Sequence, residues 1–478
     1  MVLTPIYGTG KGGNYYTGEA NPITGQYILN ALPPDCSATQ GAPCIPTGTY
    51  TASSTPAPGG LPPHAVVSPS LRVIQNSLFN WAPRLGLAYR VNNKTVVRAA
   101  YSRFYDEWAD ITQLSQNFGG NWPAVATIQN NGLNTNIPTV TAADPLQFGS
   151  GGSIVYPIND FSQVSQWMVD PNFQTPVFDQ WNVGIQRELP SNMTLDANYV
   201  GSNGRHEDWG PVLNVPQPGP GDIQSRRPYP YMLQQWFDQS AGNSRYNALQ
   251  VTVTKRPVHG LSFLAAYTLS HSNADGCNPG ASCDSTNPYN KAGDYETSDL
   301  NQKHVFSVAF TADSPYNRSA SRLVSTLAGG WSVNGIVQVT SGKPYTVTTN
   351  SDPENVGCCN QQRVDVVGNP DSGHGIHTQQ QWFNIGAFAQ QAPYTYGNEK
   401  VNPWVGQHWN NVDMSIFRQF HLGIGEQRYF EFRAESFNLF NNVVFNPPDS
   451  TINDTNFGQI TSQWNAPREL QKSLKFYY

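Results

Sequence analysis

The chain is short of charge: only 13% of its 478 residues are Asp, Glu, Lys or Arg, and the formal net charge is -6. With no basic surplus, nucleic acid is excluded as a partner. Long apolar runs are also missing. Nothing approaches the ~18 consecutive residues that a spanning helix needs, and the mean hydropathy is negative. That excludes a helical membrane protein but not a barrel, whose strands alternate apolar and polar residues that cancel in any window. Met1-Val-Leu-Thr-Pro-Ile-Tyr7 lacks a basic n-region and an apolar core of signal-peptide length. The expectation is that the start is misplaced or that the chain is a piece of a longer polypeptide.

Catalytic and metal signatures are equally sparse. No G-x-S-x-G occurs, and Gly8-Thr-Gly-Lys-Gly-Gly13 falls short of a phosphate loop. His374-Gly-Ile-His377 has i,i+3 spacing but sits in a Gly-rich stretch. Asp352, Glu354 and Asp365 carry oxygen ligands suited to Ca²⁺, yet read first as a solvated acidic loop. We therefore expect no enzyme, no metal and no cofactor. The six cysteines form close pairs in Gly/Pro/Asn-rich stretches without C-x₂-C spacing. Cys36 with Cys44 and Cys277 with Cys283 are expected as local disulfides of an oxidising compartment. Cys358 and Cys359 would close a strained ring, so free thiols or crossed pairing with another loop stay open.

What the chain has is aromatic residues, 12% of the total, together with 42 Gly and 37 Pro. Such a supply fits membrane-interface girdles or sugar-binding surfaces, both outside the cytoplasm. The last eleven residues, Arg468-Glu-Leu-Gln-Lys-Ser-Leu-Lys-Phe-Tyr-Tyr478, read as an amphipathic strand running to the end. Leu470, Leu474, Phe476 and Tyr478 share one face, with Lys472 its only charge. Soluble domains usually end on polar, frayed residues. A closed outer-membrane barrel instead needs its last strand paired, apolar outside and aromatic at the interface.

Five hairpins precede that strand. They are 84–90 with 95–105, 180–188 with 193–200, 248–255 with 261–269, 304–312 with 331–340, and 412–420 with 428–437. The predicted strands are close to the 9–11 residues of a tilted membrane strand. Short turns alternate with the long stretches 106–177, 201–245, 270–302, 341–410 and 441–466. In an outer-membrane barrel the short turns face the periplasm and the long loops face outward, which puts Tyr478 at the periplasmic rim. Residues 1–80 read as an extracellular loop region before the first strand, and 81–478 as barrel. The alternation assigns Arg98, Asp196, Asn198, Asp413, Ser415, Glu431, Arg433 and Glu435 to a wet lumen, since three ionised groups on a doubly buried strand would carry a large desolvation cost. Trp382-Phe-Asn384 and Trp404 to Trp409 read as sugar-stacking or rim-plugging residues, or most simply as interface anchors.

Several segments resemble the barrel of TonB-dependent receptors of the Oar-like group. They include Asn80-Trp-Ala-Pro-Arg-Leu-Gly-Leu-Ala-Tyr-Arg90, Trp181-Asn-Val-Gly-Ile-Gln-Arg187, Tyr246-Asn-Ala-Leu-Gln250, Gly329-Gly-Trp331, Phe432-Arg-Ala-Glu435 with Phe437-Asn438, and Pro467-Arg-Glu469. The resemblance implies an all-β antiparallel transmembrane barrel of about 22 strands around a plug, of which about eleven are seen here. It further implies outer-membrane lipid and the barrel-assembly machinery as partners, the latter reading Leu474, Phe476 and Tyr478. A missing plug would couple the pore to the inner-membrane TonB complex. The ligand is not specified. A surface-displayed adhesin and a secreted soluble glycan-binding β-protein are the rival expectations. An open half barrel in lipid would leave unpaired edges costing several kcal/mol per group, so a longer polypeptide or two copies should close it.

Overall fold

The computed structural model describes residues 18–29, 64–68, 79–106, 167–170, 172–275, 287–314, 329–358, 362–422 and 428–478. Its main feature is one antiparallel up-and-down sheet of eleven long strands, each bonded to its neighbour in sequence. We number them β1 (Arg84–Asn92), β2 (Thr95–Tyr105), β3 (Val177–Leu189), β4 (Met193–Trp209), β5 (Gln235–Val258), β6 (Leu261–Ala274), β7 (His304–Asp313), β8 (Trp331–Thr340), β9 (Trp409–His421), β10 (Tyr429–Phe437) and β11 (Glu469–Tyr477). The sheet is not closed: β1 and β11 are its two edges among the described residues.

The turns have local causes. His259 and Gly260 both take positive φ between β5 and β6, the mirror-image turn whose twist matches that of paired strands. Ser191 and Asn192 do the same between β3 and β4. At the β1–β2 turn the Asn92 side chain accepts from Lys94 N at 2.9 Å, a local closure typical of asparagine.

Three strands outrun the sequence expectation. Leaving 201–245 as loop is corrected by β4, which continues to Trp209, and by β5, which begins at Gln235 and is 24 residues long; β6 likewise extends to Ala274. Gly201 to Arg205 pair with Asn247 to Asn243 in unbroken register, and the register shifts lie beyond them, on either side of Gly242. Polar Gly/Ser/Asn residues pair as well as apolar ones because the ladder is made by the backbone. Gly201, Ser202, Asn203 and Gly204 give this stretch no apolar–polar alternation to mark it.

Directly paired residues point to the same face, so the register sorts every side chain. One row runs Tyr89–Val97–Ile185–Ala197–Val251–Tyr267–Phe306–Val339 across eight strands. Its neighbour on the opposite face runs Arg98–Gly184–Asn198–Gln250–Thr268. The apolar face is bare: Leu85 is 67% exposed, Leu87 66%, Leu470 70% and Leu474 67%. Among the described residues no second sheet covers it, as the two layers of a soluble sandwich would require.

The long connections are packed. Tyr345, Val347, Val364, Phe383, Ala387 and Phe388 form a buried core, with Trp382, Trp404, Ile452 and Phe457 against it. Residues 18–29 and 64–68 make a small three-stranded sheet docked on the β4–β5 connection. There the hydroxyls of Tyr229 and Tyr231 donate to the carbonyls of Ile23 and Gly25, at 2.6 and 2.7 Å.

Candidate functional site

Two regions carry the polar groups a ligand would meet: the polar face of the sheet and the packed cap of loops at its far end. By register, Arg98, Asp196, Asn198, Asp413, Ser415, Glu431, Arg433 and Glu435 all lie on the polar face. Leu474 and Phe476 lie on the apolar face, opposite Phe432 and Phe430. Tyr478 stacks on Phe476 with ring centres 6.0 Å apart.

The polar residues fall into separate groups. Arg433 sits between two carboxylates, 3.2 Å from Glu431 and 3.6 Å from Glu435, and its guanidinium lies over the Phe417 ring. Glu431 also accepts from the Gln419 amide at 3.2 Å, which explains how a carboxylate only 5% exposed is tolerated. Asn198 donates to Asp196 and covers Gly184, where any Cβ would collide with its amide oxygen. Asp413 accepts from Asn438 N at 2.8 Å, fixing the start of the last outer loop. Arg98 is exposed.

Sequence reasoning missed an apolar patch among these groups. Leu264 and Ile336 are 46% and 47% exposed on the polar face, on either side of Ala309. They line a depression of about 480 Å³ with Asp413, Ser415 and Glu435. Patterning hides them, because each is one apolar residue at a polar position.

The cap overturns two expectations. Trp382 and Trp404 are half-buried against the cap core rather than set as interface anchors: the Trp382 indole donates to Val405 O at 3.3 Å, and Trp404 packs edge-on against Phe388 at 5.7 Å. Nor is Glu354 solvated; it has no exposure, and neither carboxylate oxygen has a hydrogen-bond partner. Burial, reinforced by neighbouring Asp352, pushes its pKa up to about 8. Glu399, also buried, is pushed up to about 7 even though it accepts from Val347 N and the Trp404 indole. Burial and the nearby Glu354 push Tyr396 up to about 12.

Asp352, Glu354 and Asp365 do not converge. Asp352 accepts from Val356 N and Gly357 N, and Asp365 from Asn398 N. Among the described residues no group of three or more His, Cys, Asp or Glu is placed to hold a metal ion. His377 lies edge-on to Trp382 while His374 is exposed, so the pair forms no ligand set. Cys358 is disulfide-bonded. Cys36, Cys44, Cys277, Cys283 and Cys359 lie outside the described residues, as does the glycine run 8–13.

Side chains tie the loops together. Asn355 donates to the carbonyls of Gly219 and Gly221 at 2.8 and 2.9 Å, and Arg226 donates back to Asn355 O. Arg363 reaches Gly293 O at 3.1 Å and Asp294 at 3.5 Å, and Asn402 donates to Thr297 O at 3.0 Å. The connections β4–β5, β6–β7 and β8–β9 are thereby locked into one body. Asn453 donates to Thr349 Oγ1 at 2.9 Å and adds the β10–β11 connection.

Similar solved structures include the ferripyoverdine receptor of the outer membrane of Pseudomonas aeruginosa (10% identity, 83% of this chain and 33% of that one, TM-score 0.39). The ferric preacinetobactin receptor BauA from Acinetobacter baumannii is similar at 10% identity, over 83% of this chain and 36% of that one, with a TM-score of 0.37. The outer membrane transporter YddB from Escherichia coli is similar at 12%, over 81% and 39%, with a TM-score of 0.39. The chain thus spans between a third and two fifths of the length of these proteins. No curated protein sequence matches it. The model of the outer membrane beta barrel domain matches residues 3–471, nearly the whole chain. That match covers well over half of the chain, and the chain belongs to the outer membrane beta barrel family.

Proposed function

We propose that this outer-membrane protein forms part of the wall of a TonB-dependent import receptor, its loop cap binding the ligand and its polar face lining the path inward. The observation that carries the reading is the pairing of a bare apolar face with a polar face that holds ion pairs and a concave patch on one wall. A lipid-facing exterior and a wet interior need that division. Arg98, Asp196, Asn198, Asp413, Ser415, Glu431, Arg433 and Glu435 are assigned to the lumen. Energy would come from the inner-membrane TonB complex acting on a plug, and assembly from the barrel machinery reading Leu474, Phe476 and Tyr478. The similar structures are of receptors and transporters, so no catalytic role is assigned.

The test gives cells expressing the protein a panel of labelled ferric chelates, oligosaccharides and peptides. The expected result is uptake of one class, abolished by a protonophore while surface binding persists. Surface binding with no energised uptake of any class would replace import by display.

A further inference from the structure

The ion pairs at the outer ends of β2 to β5 lie on the lipid-facing side of the wall rather than the lumenal side. Arg103 on β2 binds Asp179 on β3 through two hydrogen bonds, at 2.8 and 3.1 Å, and Arg205 binds the same carboxylate from β4 on the other side. The Tyr101 hydroxyl donates to Asp179 as well. Direct pairing continues the row from Arg103 and Asp179 through Asn203 to Arg245. Three strand spacings make that row about 14 Å wide. One step nearer the apolar band run Tyr101, Trp181, Gly201, Asn247 and His271, the aromatic level that marks a membrane interface.

The charge on this row is unbalanced. Asp179 satisfies one arginine, yet two share it, and Arg205 keeps 45% of its side chain exposed. Arg245 is exposed and forms no ion pair among the described residues. The nearby carboxylates are already engaged: Asp275 is held by Lys291, and Glu207 lies behind the sheet against Ser244. An ion pair that served only the fold would need neither the second arginine nor Arg245. Asp179, only 9% exposed, holds two guanidinium groups rigidly at headgroup height. Guanidinium recognises phosphate through paired donors.

We propose that Arg103, Arg205 and Arg245 form a docking site for the phosphate groups of an outer-leaflet glycolipid, fixing the barrel's height and its lipid neighbour. The site rests on the outward orientation of the long loops and not on import. The probe is bis-phosphorylated lipid A in micelles, titrated against the protein extracted from the outer membrane in neutral detergent. Phosphatase-treated lipid A and inorganic phosphate are the comparison ligands. Removing two headgroup-level cations in Arg205→Gln/Arg245→Gln should weaken binding of the phosphorylated lipid about 10- to 30-fold. Dephosphorylation should weaken wild-type binding similarly and leave the double variant unmoved. Lys472→Gln, which removes a lipid-facing cation from β11, should change nothing. Arg245→Gln alone leaves the Asp179 pairs intact, so a partial loss there keeps the test independent of folding. Equal wild-type affinity for the two lipids, or unaltered binding by both variants, would overturn the proposal. Displacement by inorganic phosphate at the same concentration would also overturn it in favour of a free-anion site.

Discussion

The wall and the cap are built from one chain by opposite rules. In the wall, β1 and β11 are exposed nearly throughout and the large apolar residues point outward; order comes from the backbone ladder, and the solvent for the apolar face is lipid. In the cap the strands are two residues long, and order comes from a dry aromatic core around Phe383, whose ring centre is 5.2 Å from those of Phe388 and Phe457. The wall should therefore tolerate changes to its polar face and reject charge on its apolar face, while the cap should fail at its core and leave the wall standing.

The largest effect is expected at the end of the wall. Changing Phe476 and Tyr478 together to Ser should abolish assembly into the outer membrane, seen as loss of heat-modifiable migration; normal migration would remove the assembly role of that end. Phe383→Ala should cost the cap about 3–5 kcal/mol through the lost ring and the cavity. Limited proteolysis should then cut within 341–408 while heat-modifiable migration persists, and joint loss of both would show that wall and cap are not separable. Two neighbours on β8 sharpen the contrast: Val337→Arg, on the apolar face between Val308 and Val412, should destabilise by about 2–4 kcal/mol in lipid vesicles. Gln338→Arg, one residue on and on the polar face, should cost under about 1 kcal/mol by the same urea titration.

The smallest predicted effect separates the regions by pH. Glu354 has its native pKa raised from 4.5 to about 8, so the folded cap binds the extra proton. The stability from that proton is complete below about pH 4.5 and is lost as pH rises towards 8 and beyond. Hydrogen exchange in 341–408 should quicken between pH 5 and pH 9 more than exchange in the wall, and Glu354→Gln should reduce that difference to the part left by Glu399, whose pKa is raised to about 7. A cap whose exchange shows no pH dependence beyond intrinsic chemistry would remove Glu354 from the account.

How much of this was readable in advance follows from the same contrast. Wall strands such as β10, where Phe430, Phe432 and Ala434 alternate with Glu431, Arg433 and Glu435, announce themselves because lipid lies on one side and water on the other. The overhang of β4 and β5 beyond Gly201 and Asn247 loses that signature, because its Gly, Ser and Asn residues do not alternate with apolar ones and it buries Trp209 and Phe237 away from any lipid-facing row. The cap core was illegible for another reason: Tyr345 meets Phe383, and Phe383 meets Phe457, across long separations with no period linking them. Trp382 and Trp404 therefore looked like surface anchors, and Glu354 like a solvated acid.

The 24-residue length of β5 bears on where this protein meets the outside world. Gln235 to Asn247 is about 40 Å along the strand, shortened to about 30 Å of height by barrel tilt. Because the rise is hydrogen-bonded sheet, it behaves as a mast and not as a tether. The cap should stand clear of the sugar layer coating the cell, within reach of antibodies and phage fibres. A fluorophore on an introduced Asn355→Cys should remain unquenched by spin-labelled headgroups, whereas one at Asn247→Cys should be quenched.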